Sequence, residues 1–180
     1  MDSELVTRAQ HGDEEAFASL AVAIGDRLHA VAQRILRDID LAEDATQQAL
    51  LSIWRDLPQL RDPDKFDAWS YRLLLRACYA EGRRTRRWSP TLRVLPSTAA
   101  ESDASGLVID RDQLERGFRR LSIDHRAVVV LYHYLDMPIE QVAETLGVPA
   151  GTVRSRLHYA MQGLRAALEA DARPATEVVG

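Results

Sequence analysis

Three observations predict an all-α fold: two small helical domains joined by a flexible linker, the C-terminal one a helix-turn-helix. Apolar residues recur every three to four positions through most of the chain, the spacing that lines one face of a helix. No stretch alternates apolar and polar residues as a half-buried strand would. After Trp88 the periodicity lapses into Ser89-Pro90 and then Pro96 to Gly106, a segment with a linker's composition. The expected boundaries are a first domain over 1–88, a linker over 89–108, a second domain over 109–171 and a frayed tail over 172–180.

The elements follow in order. Leu5, Val6 and Ala9 suggest a short helix within residues 1–12, and Gly12 punctuates it. Asp13 is placed to cap the next helix. Phe17, Leu20, Ile24, Leu28, Val31 and Ile35 carry that helix to about Arg37. A third helix starts at Asp40, with Ala42, Ala45, Ala49 and Ile53 on one face, and Leu50, Trp54 and Leu57 widening it. Pro58 and Asp62-Pro63-Asp64 end it. Phe66, Trp69, Leu73, Ala77 and Ala80 mark a fourth, running out into Arg83-Arg84-Thr85-Arg86-Arg87. Trp54 and Trp69 sit on helix faces and are expected in the core. Trp88 suits either a stacking role or an anchor at the domain edge.

The second domain opens with Leu114, Phe118 and Leu121. Ser122 can cap the next helix, whose Val128-Val129-Val130-Leu131 run should form the domain's centre. Ile139, Val142, Ala143 and Leu146 then fall at i, i+3, i+4 and i+7. Pro138 suits the first helical position and Gly147 the left-handed residue after the last. Val153, Leu157, Leu164 and Leu168 define a second amphipathic helix. Small Ala143, turning Gly147 and packing Val153 have helix-turn-helix spacing. The outward positions of the last helix are Thr152, Arg154, Ser155, Arg156, His158 and Tyr159. Arginine can pair with guanine, hydroxyls can bond bases or phosphates, and a helix N-terminus favours phosphate.

Net charge is −4, but its distribution matters more than its sum. From Arg72 to Arg93 there are seven arginines and one acid, Glu81. From Asp38 to Asp64 there are seven acids against Arg55 and Arg61. An acidic surface beside a basic one fits a protein that faces both another protein and nucleic acid. One cysteine, Cys78, excludes an internal disulfide, and its place on an apolar helix face suggests a buried, inert thiol. No apolar run approaches a membrane span and no signal pattern opens the chain, so a cytoplasmic protein without membrane insertion is expected. The five histidines show no metal-ligand spacing, and no phosphate loop or nucleophile motif is present. An enzyme, a metal or a cofactor is therefore not expected.

Three segments together resemble the extracytoplasmic-function (ECF) group of bacterial sigma-70 family RNA polymerase sigma factors, over roughly Asp13 to Leu168. Asp40-Leu-Ala-Glu-Asp-Ala-Thr-Gln-Gln-Ala-Leu-Leu-Ser-Ile-Trp54 is similar to the family's polymerase-binding helix. Phe66-Asp-Ala-Trp-Ser-Tyr-Arg72 is similar to the start of its promoter-melting helix. Gly151-Thr-Val-Arg-Ser-Arg-Leu-His158 is similar to its region-four signature. The resemblance implies binding to the clamp and flap regions of core RNA polymerase, recognition of −10 and −35 promoter elements, and control by an anti-sigma factor. Residue by residue, it implies polymerase docking by Asp40, Glu43, Asp44, Gln47, Gln48, Leu51 and Trp54. It places Lys65, Arg72, Arg76, Arg83, Arg84, Arg86 and Arg87 on the −10 side, with the Leu60–Lys65 loop where a flipped base is captured. It places Arg154, Ser155 and His158 as −35 readers, with Thr152 and Arg156 holding phosphates.

The chain departs from the family pattern in the melting helix. Ala77 stands for Asn, Glu81 for Asp, and Gly82 costs the helix about 1 kcal/mol relative to Ala. Tyr159 and Met161 stand where the recognition helix often carries Arg. Two other readings stay open: a free-standing helix-turn-helix regulator binding an operator, and an interaction module that does not bind DNA.

Overall fold

A computed structural model describes the backbone over residues 2–88 and 111–172 and the side chains over 2–85 and 113–169. The expected linker and tail, and the side chains of Arg86, Arg87 and Trp88, lie outside the described residues. Every described element is helical. The first domain contains α1 (Ser3–Gln10), α2 (Glu14–Leu36), α3 (Ile39–Asp56) and α4 (Phe66–Trp88). The second contains α5 (Arg111–Arg120), α6 (Ile123–Val129), α7 (Ile139–Leu146) and α8 (Ala150–Ala172).

Capping residues set the starts. The carboxylates of Asp13 and Asp38 accept from the backbone N–H groups of Ala16 and Leu41, and the Ser122 hydroxyl accepts from that of His125. Each supplies one partner for the orphan donors of a first helical turn, worth about 1 kcal/mol. Asp38 therefore caps α3, which starts at Ile39, one residue before Asp40, the expected start. Pro138 is the residue before α7 rather than its first member, because its ψ of 150° is extended. Gly147 ends α7 in the left-handed region at φ 67°, as its position suggests. Arg37 ends α2 in the same region at φ 60°, where a glycine would be ordinary.

The first domain packs α2, α3 and α4 against one another. Leu20, Ile24, Leu28, Val31 and Ile35 line α2's inner face and are fully buried. Ala42, Ala45 and Ala49 form α3's inner stripe, so small side chains let α3 lie close to its neighbours. Phe66 and Leu74 fill the space on the α4 side. Burying a side chain of Phe66's size contributes about 2–3 kcal/mol. Gln10 of α1 donates through Nε2 to the carbonyls of Leu57 (3.1 Å) and Leu60 (2.7 Å). That anchors the turn from which the Leu60–Lys65 loop springs.

In the second domain the Val128–Leu131 run is buried as expected. A π-helical turn over Val130–Tyr134 follows α6, an irregularity that periodicity did not signal. Val153, Leu157, Leu164 and Leu168 seat α8 on α5, α6 and α7. One core expectation is corrected: Trp54 is 45% exposed at the end of α3. Cys78 is fully buried, and that burial pushes its thiol up to about 12, so it stays protonated and unreactive.

The two domains also touch. Helices α2 and α4 contact α6 and α7. Arg126 Nη1 reaches the Leu36 carbonyl (3.4 Å), and the Arg34 guanidinium lies 3.9 Å from the centre of the Tyr134 ring.

Candidate docking and nucleic-acid interfaces

Helix α3 turns two unlike faces outward and inward. Its alanine stripe is buried, while Asp40, Glu43, Asp44, Gln47, Gln48, Leu51 and Trp54 are all exposed. Positions 40, 44, 47, 51 and 54 follow helical spacing and form one ridge, with 43 and 48 beside it. Acidic at its N-terminal end, the ridge becomes apolar toward its C-terminal end. Leu51 is 62% exposed, and Trp54 rests edge-on against Phe17 with ring centres 4.5 Å apart. Leu50, Leu51 and Trp54 of α3, with Glu14 and Phe17 of α2, line an open groove of about 370 Å³. Sequence reasoning missed Glu14 and Phe17 as part of this surface. Phe17 shares the helical register of the α2 core residues, and only the crossing of α2 over α3 brings it to the groove. Among the described residues, Asp40 and Glu43 form no ion pair, whereas Asp44 pairs with Arg84 of α4 at 3.0 Å.

Helix α4 carries two adjacent stripes. Arg76, Ala80, Arg83 and Arg84 are exposed to solvent. Arg72, Tyr79 and Gly82 lie on the side that meets the second domain, and Arg72 pairs with Glu144 of α7 at 3.7 Å. The structure therefore separates Arg72 from the arginines with which sequence grouped it. Glu81, a departure from the family pattern, is buried beneath this surface and pairs with Arg84 at 2.8 Å. Arg84 thus sits between two carboxylates, which hold its guanidinium over the α3–α4 junction. Lys65 is exposed in the short 3₁₀ turn Pro63–Lys65, which Asp62 caps through the Asp64 N–H (3.1 Å).

On α8 the N-terminal turns present Arg154, Ser155 and His158 to solvent. Arg154 Nη2 pairs with Glu140 Oε1 of α7 at 3.3 Å, which ties the two helices of the helix-turn-helix across their outer side. Ser155 donates to the Thr152 carbonyl at 3.0 Å, and His158 stands edge-on to Tyr159 at 5.6 Å. Thr152 and Arg156, expected outward, are half-buried. Arg156 turns back to Asp124 of α6 at 3.2 Å. Tyr159 is exposed beside His158. The carboxylates of Glu140 and Asp124 were not legible as partners, because each comes from a different helix of the domain.

Among the described residues no cluster of His, Cys, Asp or Glu could hold a metal, and no helix is long and apolar enough to cross a membrane.

Comparison with known proteins assigns this architecture. Residues 20–88 match the model of sigma-70 region 2, and residues 117–166 match that of sigma-70 region 4. The chain is 32% identical to the ECF RNA polymerase sigma factor SigM of Mycobacterium tuberculosis, over 86% of this chain and 78% of that one. It is 30% identical to SigL of the same species, over 88% of this chain and 94% of the other. A sigma-H factor of Pseudomonas aeruginosa is 27% identical over 93% of this chain and 94% of its own. The fold is shared with CnrH, solved in complex with the cytosolic domain of CnrY, at a TM-score of 0.69, 24% identity and coverage of 95% of this chain and 99% of that one. Two region models in order, and relatives that span nearly the whole chain, lead to one conclusion: the chain belongs to the ECF group of the sigma-70 family, non-enzymatic subunits that direct promoter-specific transcription initiation by RNA polymerase.

Proposed function

We propose that the ridge of α3 is the surface by which this sigma factor docks on the clamp of core RNA polymerase. The observation that carries it is the outward exposure of all seven ridge residues over a buried alanine stripe. An isolated bundle gains nothing from leaving Leu51 and Trp54 in water; a partner that covers them recovers that burial. The acidic end steers a basic partner, and the apolar groove beside Trp54 anchors it. Titration of labelled core enzyme with the double variant Glu43→Lys, Asp44→Lys tests this: affinity falls while helicity is retained. Unchanged affinity for core removes the assignment.

The other roles follow from position. The first domain, over residues 1–88, faces the −10 element through the Leu60–Lys65 loop and the arginines of α4. The second, over 109–171, faces the −35 element through Arg154, Ser155 and His158 and contacts the flap of the polymerase. Thr152 and Arg156, half-buried near the start of α8, suit phosphate contacts better than base reading. Such a factor works where its polymerase is, in the cytoplasm. Two proteins of the same fold, CnrH and the sigma factor RpoE of Bartonella quintana, were solved with the cytosolic domain of CnrY and with the anti-sigma factor NepR, and an anti-sigma protein is the partner proposed here for control.

A further inference from the structure

Between α3 and α4 the chain runs through residues 60–62 without helical structure. Leu60 and Asp62 are both extended, at ψ 114° and 103°. Helical geometry does not fix where such a segment points, so other contacts must. At its exit, Phe66 is fully buried. In its middle, the Asp62 carboxylate accepts from the Asp64 N–H and the Asp62 carbonyl from the Lys65 N–H, both at 3.1 Å. At its entry, the Leu60 N–H donates to the Leu57 carbonyl at 3.1 Å. Arg61, Asp64 and Lys65 are left exposed along the loop.

The entry is also held from a distant part of the chain. The side-chain amide of Gln10, in α1, donates to the carbonyls of Leu57 and Leu60, 47 and 50 positions away. An amide nitrogen carries two hydrogens, and here each has its own acceptor. The pairing also settles the amide's orientation, since turned round it would face its oxygen to two carbonyls. Helix α1 touches both 3₁₀ turns that flank the segment, Leu57–Gln59 and Pro63–Lys65. Eight residues are too few for a helix to persist in water by itself. Burial of Val6 and Ala9, with the Arg8–Asp13 pair at 2.6 Å, holds α1 in place. The residues that match sigma-70 region 2 begin at position 20, so α1 lies outside them.

We infer that α1 is a positioning element for −10 recognition and that Gln10 is the residue through which it acts. Its two hydrogen bonds set the direction in which the Leu60–Lys65 loop leaves α3, and with it the shape offered to an unstacked base. The inference rests on the reading of that loop as the place of base capture. Capture needs a pocket already formed, because unstacking a base is itself unfavourable. A loop free to swing holds the pocket in only a fraction of molecules, and apparent affinity for the element falls by that fraction. Gln10 is half-buried and its amide is engaged by the two carbonyls, so it acts on DNA only through the loop. The ridge of α3 ends at Trp54, before the first of these carbonyls, and the face of α8 belongs to the other domain. Docking on polymerase and binding of the −35 element therefore do not depend on Gln10.

The test uses core polymerase loaded with the full chain, on a promoter fragment recovered from its own transcripts. A fluorescent adenine analogue that brightens on unstacking replaces the non-template bases of the −10 element one at a time, and the captured base reports as the bright position. Gln10→Met keeps the side chain's length and removes both donors. Gln10→Glu keeps its shape and turns oxygen toward both carbonyls. Both variants should lose the bright signal and need about tenfold more promoter for half-maximal opening, the order expected when two part-buried hydrogen bonds are lost. Affinity for core enzyme and for an isolated −35 duplex should stay at the parental value. In the free chain, hydrogen exchange over residues 57–65 should quicken in both variants while α2 and α4 keep their protection, which shows that the domain is folded. A parental signal in both variants overturns the inference. So does a loss of core affinity in step with the signal, which would be a defect of the whole domain. Lys65→Ala, on the exposed side of the loop, separates the inference from the reading beneath it. If Lys65→Ala abolishes the signal and the Gln10 variants keep it, the role of α1 fails alone. If none of the three changes moves the signal, the loop is not the place of capture, and the inference falls with that reading.

Discussion

The ridge of α3 proposed for docking and the face of α8 proposed for recognition are both exposed helix surfaces, yet they are held in different states. On the ridge, Asp40 and Glu43 have no ion-pair partner among the described residues, and Leu51 and Trp54 stand in water. On the DNA side, Arg154 is paired with Glu140, Arg156 with Asp124, Arg72 with Glu144 and Arg84 with Asp44. A surface of unpartnered acid and exposed tryptophan is ready for a partner as it stands. Where a cation is already neutralised, as at these four arginines, it must exchange a carboxylate for a phosphate or a base before it binds. The contrast favours an order of events: polymerase first, DNA second. It also accounts for a net charge of −4 in a DNA-binding chain. Much of the arginine is balanced internally, which suppresses indiscriminate attraction to phosphate.

The largest effect should come from removing the apolar end of the ridge. Leu51→Ala with Trp54→Ala is expected to weaken core binding by about 2–3 kcal/mol, the cost of losing a central aromatic anchor. Because Trp54 is 45% exposed, the far-UV spectrum should not change. Core affinity that survives the double substitution would put the docking surface elsewhere.

On the other side of the comparison, Arg154→Ala should cost about 1–3 kcal/mol at one base pair of the upstream element, if the arginine pairs with a guanine. Competition with single-base-pair variants of the site measures this. An equal loss against every variant makes Arg154 a phosphate contact instead.

A smaller effect probes the neutralisation itself. Glu140→Gln frees Arg154 from its carboxylate. The dependence of log K on log salt should steepen by about one unit, with a modest gain in affinity at low salt. An unchanged slope would mean that the Arg154–Glu140 pair opens at no cost.

The smallest effect concerns pH. Burial lowers the pKa of His125 below its ordinary 6.5; Asp124 raises it and Arg156 lowers it further. The folded chain therefore binds this proton less readily than the unfolded chain. Stability is full above pH 6.5 and declines as pH falls from there through the folded value. Urea midpoints recorded between about pH 8 and pH 5 should show this decline in the parent and a flatter profile in His125→Gln. A slope of the same size in both would assign the decline to other groups.

Much of this was legible from local chemistry. Asp13, Ser122 and Gly147 announce helix ends because each interacts with backbone only a few residues away. The α3 ridge was legible because a stripe of alanines on one side leaves the acidic residues and glutamines no place but outside. Trp54 was misread as core because its register is compatible with burial. Its exposure depends on where α2 ends its coverage, which no local pattern encodes. Thr152 and Arg156 were read as outward, but α6 closes over that side of α8. Gly82 reads as a weak point in a helix, yet Ile123 of α6 stands against it, 3.0 Å from where a Cβ would lie.

Taken by itself, the order of residues determined the helical class, several of the caps and the two-part organisation. Those features arise from backbone geometry and from periodicity over a few turns. Only the tertiary structure decided which carboxylate neutralises which arginine, how Phe17 completes the groove beside Trp54, and that α4 carries a seat for the second domain. These are pairings between residues on different helices, from Arg154 with Glu140 to Arg84 with Asp44 and Arg37 with Glu115. Electrostatic and packing energies at such range depend on distances in space, which the folded chain alone sets.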